Sequence, residues 1–130
     1  MEMIFHPTLD PSSPTGVYIP SDILACFSEL NLMLEANERD IFKNTEESDL
    51  WNYHFDLGVW LRNNWGLWSS ASHLKQYFDG MGVSDADSIS NLILTSYWRY
   101  LNNMPIALQS QIVYIKVMQD QINKVDKKLH

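Results

Sequence analysis

The stretch from His54 to Trp68 concentrates the side chains most capable of chemistry, with His54, Arg62, Asn63 and Asn64 set among Trp60, Trp65 and Trp68. Indole rings want burial with a partner for the ring N–H, and a guanidinium wants a planar acceptor. On a continuous helix His54, Gly58, Arg62 and Trp65 share one face, spaced by four, four and three residues. Gly58 removes a side chain from the middle of that face, so something approaches closely there. In one reading Gly58 floors a pocket for a small molecule, walled by His54 and Arg62 with Asn63 and Trp65 beside them. In the other, Gly58 is where a neighbouring element crosses, and Arg62 is satisfied by carbonyls or a core carboxylate. Glycine inside a helix costs ~1 kcal/mol against alanine. Close packing is the ordinary reason to keep it, and a buried polar group must be satisfied somewhere. The second reading is therefore favoured.

Other chemistry is thinly supported. His54 and His73 are 19 residues apart, His6 and His130 lie near the termini, and none forms a ligand-type pair with a nearby His or Glu. There is no phosphate-binding loop, no dinucleotide fingerprint and no nucleophile elbow. Ser69, Ser70 and Ser72 could be combined with His54 on paper, but serines are too common here for that to carry weight. Asp85 and Asp87 fit the capped first turn of a helix better than a cation site. Tyr97-Trp98-Arg99-Tyr100 has one cation in acidic surroundings, which suits core plus interface more than base stacking. Cys26 is the only cysteine, so no internal disulfide or cysteine-based metal framework exists. Its place on an apolar face makes it a small buried hydrophobe. The expectation is no catalytic residue, no metal and no cofactor.

The elements that must position these residues are legible from period and punctuation. Residues 1–20 carry Pro7, Pro11, Pro14 and Pro20, so they form an extended arm packed across the rest, with Val17 to Ile19 as a candidate edge strand. Ser21 or Asp22 caps a first helix whose Ile23, Phe27, Leu30 and Leu34 make an apolar stripe. Residues 35–42 read as a short second helix or a turn. Thr45 caps a third helix, from about Glu46 to Asn64 and ended by Gly66; its polar strip of Asn52, Asp56 and Asn63 is so narrow that it should be the central, largely buried helix. Trp65 and Trp68 flank Gly66 in a bend, both expected mainly buried. A fourth helix spans Ser70 to Phe78. A fifth is capped by Ser84 and turns Ile89, Leu92, Ile93, Tyr97, Tyr100 and Leu101 inward, up to the break at Asn102-Asn103-Met104-Pro105. A last helix, roughly Ile106 to Lys128, repeats Leu108, Ile112, Ile115, Ile122, Val125 and Leu129. The fold class is all-α, a compact bundle of about five to six helices with a Pro-rich arm: residues 1–20 as the arm, 21–130 as one helical domain.

The 130 residues are 45% hydrophobic and 12% aromatic, enough for a core. Net charge is −7, which repels phosphate backbones and anionic lipid and suits a basic protein partner. Nucleic acid and membrane are accordingly not expected as partners. Met1 to Pro14 has no basic start and no apolar run of leader length, and nothing approaches the ~18 apolar residues of a membrane span, so the cytoplasm is the expected compartment.

Gly16-Val17-Tyr18-Ile19-Pro20, Cys26-Phe27-x-Glu29-Leu30-x-x-Met33-Leu34, the block His54-Phe55-x-Leu57-Gly58-x-Trp60-Leu61-Arg62-Asn63-Asn64-Trp65-Gly66-Leu67-Trp68, and Ser96-Tyr97-x-x-Tyr100-Leu101-Asn102 together resemble a small bacterial family, a domain of unknown function. Its signature is H-F-x-L-G-x-W-[IL]-R-N-N-W-G-L-W, and the similarity covers roughly residues 16–106. It implies a compact, mainly helical domain and brings no activity, cofactor or substrate. Members of that family tend to carry a His-Pro-Asp-Asp-Met-like segment where this chain has Ser84-Asp85-Ala86-Asp87-Ser88-Ile89, and a histidine at the position of Trp98. Arg62-Asn63-Asn64-Trp65 retained beside those losses fits a structural centre better than an active site.

The first expectation is a non-enzymatic protein-binding module, most concretely an immunity protein that neutralises a basic bacterial toxin or effector through exposed acids such as Glu38, Asp40, Glu46, Glu47 and Asp49. The alternative is a small-molecule-binding or catalytic helical domain with a pocket around His54, Gly58 and Arg62. A third idea is a homodimer packed through the last helix; the sequence leaves the oligomeric state open.

Overall fold

The computed structural model describes residues 3–129; His130 lies outside them. Six α-helices and one 3-10 helix follow in order: α1 (Ile23–Met33), α2 (Ala36–Lys43), the 3-10 helix (Glu47–Phe55), α3 (Leu57–Asn64), α4 (His73–Gly80), α5 (Ala86–Leu101) and α6 (Leu108–Leu129). The chain is all-α, slightly richer in helices than expected, and 35–42 forms a helix rather than a turn.

The expected third helix is two elements. Asp56 adopts φ −125° and ψ −82°, breaks the helical path, and its carboxylate accepts from the Leu57 amide at the start of α3. Before the break the backbone winds as a 3-10 helix, in which side chains three apart lie over one another. That period turns Leu50 inward with half-buried Tyr53, and stacks Trp51 on His54 with centroids 4.4 Å apart and planes 12° from parallel. Thr45 does not cap it: the Thr45 hydroxyl donates back to the Ile41 carbonyl at 2.8 Å, closing the end of α2.

The central helix is α5 rather than the 46–64 segment. Ala86, Ile89, Ser90, Leu92, Ile93, Leu94, Ser96, Tyr97 and Trp98 are all buried, and the 3-10 helix, α1, α2, α3 and α6 pack around it. Its cap is Asp85, which accepts from the Ser88 amide at 2.9 Å; Ser84 lies outside the helix. Tyr100 faces out. An aromatic cluster, with Phe42 stacked on Tyr97 at 5.7 Å and edge-on to Tyr53 at 4.8 Å, ties α2 and the 3-10 helix to α5. The Tyr97 hydroxyl donates to Asn31 Oδ1 at 2.6 Å, and burial raises its pKa above the usual phenol range.

α1 begins at the Asp22 cap, and α4 begins three residues beyond the expected fourth-helix start, capped by Ser72. α3 ends as anticipated at Gly66, whose φ of +72° lets the Leu67 amide reach back to the Arg62 carbonyl at 3.2 Å. Of the two bend tryptophans, Trp65 is fully buried while Trp68 is exposed and donates from Nε1 to Asn63 Oδ1 at 3.1 Å. Cys26 is buried, and desolvation pushes its thiol pKa well up.

Val17 to Ile19 forms no strand: one antiparallel bridge joins Leu9 to Val17, and the arm folds back on itself with the Tyr18 amide on the Thr8 carbonyl at 2.8 Å. Its anchor is Glu29 of α1, buried, accepting from the Thr8 amide at 3.0 Å and the Thr8 hydroxyl at 3.1 Å. At the other end of the chain, Ile112 is the buried residue of α6, with Leu108 and Ile115 packed against the core; Ile122, Val125 and Leu129 are exposed.

Candidate functional site

Arg62 is the hub of the polar cluster. The α3 helix carries it beneath the start of α5 and behind the end of the 3-10 helix, and it is 5% exposed. Nη1 donates to Ser90 Oγ at 2.8 Å, Nη2 donates to the His54 carbonyl at 2.9 Å, and Nε lies 3.3 Å from Asp87 Oδ1. His54 Nδ1 lies 3.3 Å from Nη1 and 3.1 Å from the Asn91 amide oxygen Oδ1. Nε2 faces Asp87 Oδ1 at 3.9 Å. One fork thus joins three elements.

Gly58 explains why the fork fits. A Cβ built there would lie 2.9 Å from Arg62 Nη1 and 3.2 Å from the Tyr53 carbonyl oxygen. The space that glycine vacates is filled by the guanidinium four residues on, not by a ligand or a crossing helix. His54, Gly58 and Arg62 do meet, although the helix break lies between His54 and the other two. Asn63 points outward to Trp68, and Trp65 sits in the core with Nε1 unpartnered. Ser90 is buried, accepts from Arg62 and donates to the Asp87 carbonyl at 3.0 Å, so it presents no free hydroxyl. Of the five pocket candidates, His54, Gly58 and Arg62 form a closed ionic clamp, Asn63 holds Trp68 at the surface, and Trp65 belongs to the core. Asp87 lies in the first turn of α5, as its place in the sequence indicates, and from there also serves the clamp.

The acidic candidates assemble differently. Glu38, Glu46 and Asp49 line one groove of 560 Å³, joined by Asp56, Ile41 and Tyr53, and no lysine or arginine lines it. Glu38 reaches it from α2: Oε1 accepts from the Ile4 amide at 3.1 Å, while Oε2 is buried without a partner. Asp40 is exposed on α2 outside this lining, and Glu47 turns away to pair with Arg99 at 3.3 Å. A second hollow of 620 Å³ lies under the arm, lined by Asp10, Ser12, Thr15, Tyr18, Ser72 and His73 among others. Three of its hydroxyls are engaged, Ser12 with Asp10, Thr15 with the Asn64 carbonyl and Ser72 with the Trp65 carbonyl. His73 Nε2 lies 3.1 Å from the Ile19 carbonyl oxygen, and His6 pairs with Glu35 at 3.1 Å.

Sequence reasoning missed Glu29, Asn91 and Asp56. A signal existed for Glu29, a carboxylate on the same α1 face as Cys26 and Met33, where only a partnered charge is tolerated. Among the described residues no group of three or more His, Cys, Asp or Glu is placed to hold a metal ion, and no helix is long and apolar enough to cross a membrane. A family model described as a domain of unknown function (DUF6794) matches residues 19–101. No curated protein and no solved structure matches the chain.

Proposed function

The chain belongs to that family, and from this premise we propose that it is a non-enzymatic protein-binding module, an immunity protein that covers a basic surface of a bacterial toxin or effector in the cytoplasm. The observation that carries the reading is the acidic groove: Glu38, Glu46, Asp49 and Asp56 converge, and no lysine or arginine is among the described residues that line it. A desolvated carboxylate oxygen without a donor, as on Glu38, costs stability that an incoming lysine or arginine would return. Exposed Ile41 at the groove adds apolar contact beside the charges. A net charge of −7 speeds encounter with a cationic partner. Against the alternative of a small-molecule pocket around His54, Gly58 and Arg62 stands the enclosed and satisfied guanidinium.

The test pairs the native chain with a triple variant, Glu38→Lys, Glu46→Lys and Asp49→Lys, as baits against extract of the source organism. The expected result is one basic protein held by the native chain, released by salt and absent from the variant; co-expression of the two should then abolish the toxicity of that protein. A native chain that holds nothing the variant does not hold overturns the reading.

A further inference from the structure

We propose that the hollow under the N-terminal arm is a binding site for a neutral saccharide. It encloses 620 Å³ between the turn at residues 10–15 and the loop that leads from Gly66 into α4, a size usual for small-molecule sites. Its walls are fixed from within the fold. Thr15 Oγ1 donates to the Asn64 carbonyl at 2.6 Å and Ser72 Oγ donates to the Trp65 carbonyl at 3.1 Å, so arm and loop are both tied to the end of α3. A site held open in this way needs little ordering when a ligand enters.

The ligand class follows from the lining. Among the described residues no lysine or arginine lines the hollow, and its histidine, His73, holds Nε2 against the Ile19 carbonyl at 3.1 Å. A phosphate or carboxylate therefore finds no free cation to pair with. An ammonium is better held elsewhere. Asp10 is the one carboxylate among the described lining residues, and its Oδ1 already accepts from the Ser12 amide at 3.0 Å and the Ser12 hydroxyl at 2.6 Å, whereas Glu38, Glu46, Asp49 and Asp56 line the acidic groove. A purely apolar ligand would strip water from polar groups and leave them unpaired. What the lining still offers is mixed. Asp10 Oδ2 can accept, and Ser69 Oγ, which accepts from the Ala71 amide at 3.3 Å, still has a proton to give. The Tyr18 and Ser21 hydroxyls, on exposed residues, can do either. Donors and acceptors set side by side are best met by hydroxyls, each of which is both. Carbon completes the fit: Tyr18 is 38% exposed, and with Pro14 and Ala71 it supplies an aromatic ring and apolar surface for the C–H face of a sugar.

The full chain, labelled at its amino terminus, is tested on an array of mono- and oligosaccharides, and any saccharide retained is titrated by calorimetry. The expected result is retention that the free saccharide displaces, with the dissociation constant raised about tenfold or more by Asp10→Asn and by Tyr18→Ala. Asp10→Asn keeps an oxygen for Ser12 and removes the carboxylate charge. Tyr18 ties the arm through its backbone amide, on the Thr8 carbonyl, rather than through its ring. Circular dichroism should therefore show both variants folded. The bound saccharide should also slow proteolysis within residues 10–16 of the native chain. Putrescine and inorganic phosphate serve as cationic and anionic counter-probes. An array that retains nothing, retention indifferent to both substitutions, or putrescine or phosphate bound in place of the saccharide would each overturn the proposal. Neither substitution touches the Glu38 groove, so this outcome is separate from that of the basic-partner reading.

Discussion

A methyl group at position 58 has two neighbours to contend with, and they set the cost of Gly58→Ala. Alanine would gain ~1 kcal/mol in helix propensity. Against that, its Cβ would stand 2.9 Å from Arg62 Nη1 and 3.2 Å from a backbone carbonyl. The guanidinium is the more movable of the two, but moving it breaks bonds to buried Ser90 and to the His54 carbonyl, each worth ~1–3 kcal/mol when a buried partner is left unmet. The net expectation for Gly58→Ala is a loss of about 1–3 kcal/mol in urea unfolding. A neutral or stabilising result would mean that Arg62 is not locked where the distances place it. Alkaline pH supplies a second reading at this scale. Burial raises the Cys26 thiol and the Tyr97 phenol above their ordinary values, so each keeps its proton in the folded chain after the unfolded chain has lost it. Stability is then full below the ordinary thiol and phenol values, about 8.5 and 10, and falls as pH climbs through that range. Thermal melts from pH 7 to pH 10.5 should show this decline. Cys26→Ala should be less stable at pH 7 but flatter between pH 8.5 and 9.5; an equally steep variant would remove Cys26 as the cause.

Elements were readable where one period and one cap agreed. Asp22 with Ile23, Phe27 and Leu30, and Gly66 closing α3, are local facts of sequence and appear as such in the structure. The break at Asp56 was not readable, because Trp51, His54 and Phe55 can be placed on a helix of period 3.6 as easily as on one of period 3. Only packing of Leu50 and Tyr53 on the α5 side chooses between them. The same ambiguity hid the central helix: α5 buries Ser90 and Ser96 along with its apolar residues, and serines on a buried face dilute the pattern. For the candidate site, the meeting of His54, Gly58 and Arg62 was legible from spacing, while Asp87, Ser90 and Asn91 come from elsewhere in the chain, beyond any local pattern. The arm depends on one such distant contact. Glu29→Ala leaves the Thr8 amide and hydroxyl without their acceptor at a cost of about 1–2 kcal/mol. Limited proteolysis should cut that variant sooner than the native chain within residues 10–16, while cleavage around α5 stays unchanged. Equal cutting of the arm in both chains would show that the Pro-rich segment holds without Glu29.

Charge acts on the molecule as a whole, and here it sets stability against binding. Sixteen acidic residues face nine basic ones, and the pairs that relieve this repulsion, Arg62 with Asp87, Arg99 with Glu47 and Lys75 with Asp79, lie outside the lining of the Glu38 groove. Unrelieved carboxylates repel through solvent over a Debye length of ~10 Å at 0.1 M salt and ~3 Å at 1 M. Salt screens that repulsion, and it weakens the three ion pairs as well. The pairs resist better because the Arg62 and Lys75 side chains are shielded to 6% and 14% exposure. The net effect of added sodium chloride should therefore be a rising Tm. Glu38→Gln isolates the groove's share: the amide oxygen can still accept from the Ile4 amide, while the unpartnered charge on Oε2 is gone. The variant should be more stable than the native chain by about 0.5–1 kcal/mol at low salt, and the gap should close as salt rises. A gap that persists at high salt would assign the effect to packing. A variant less stable than the native chain at low salt would mean that Glu38 earns its place in the fold, removing the argument that its carboxylate is kept for a partner.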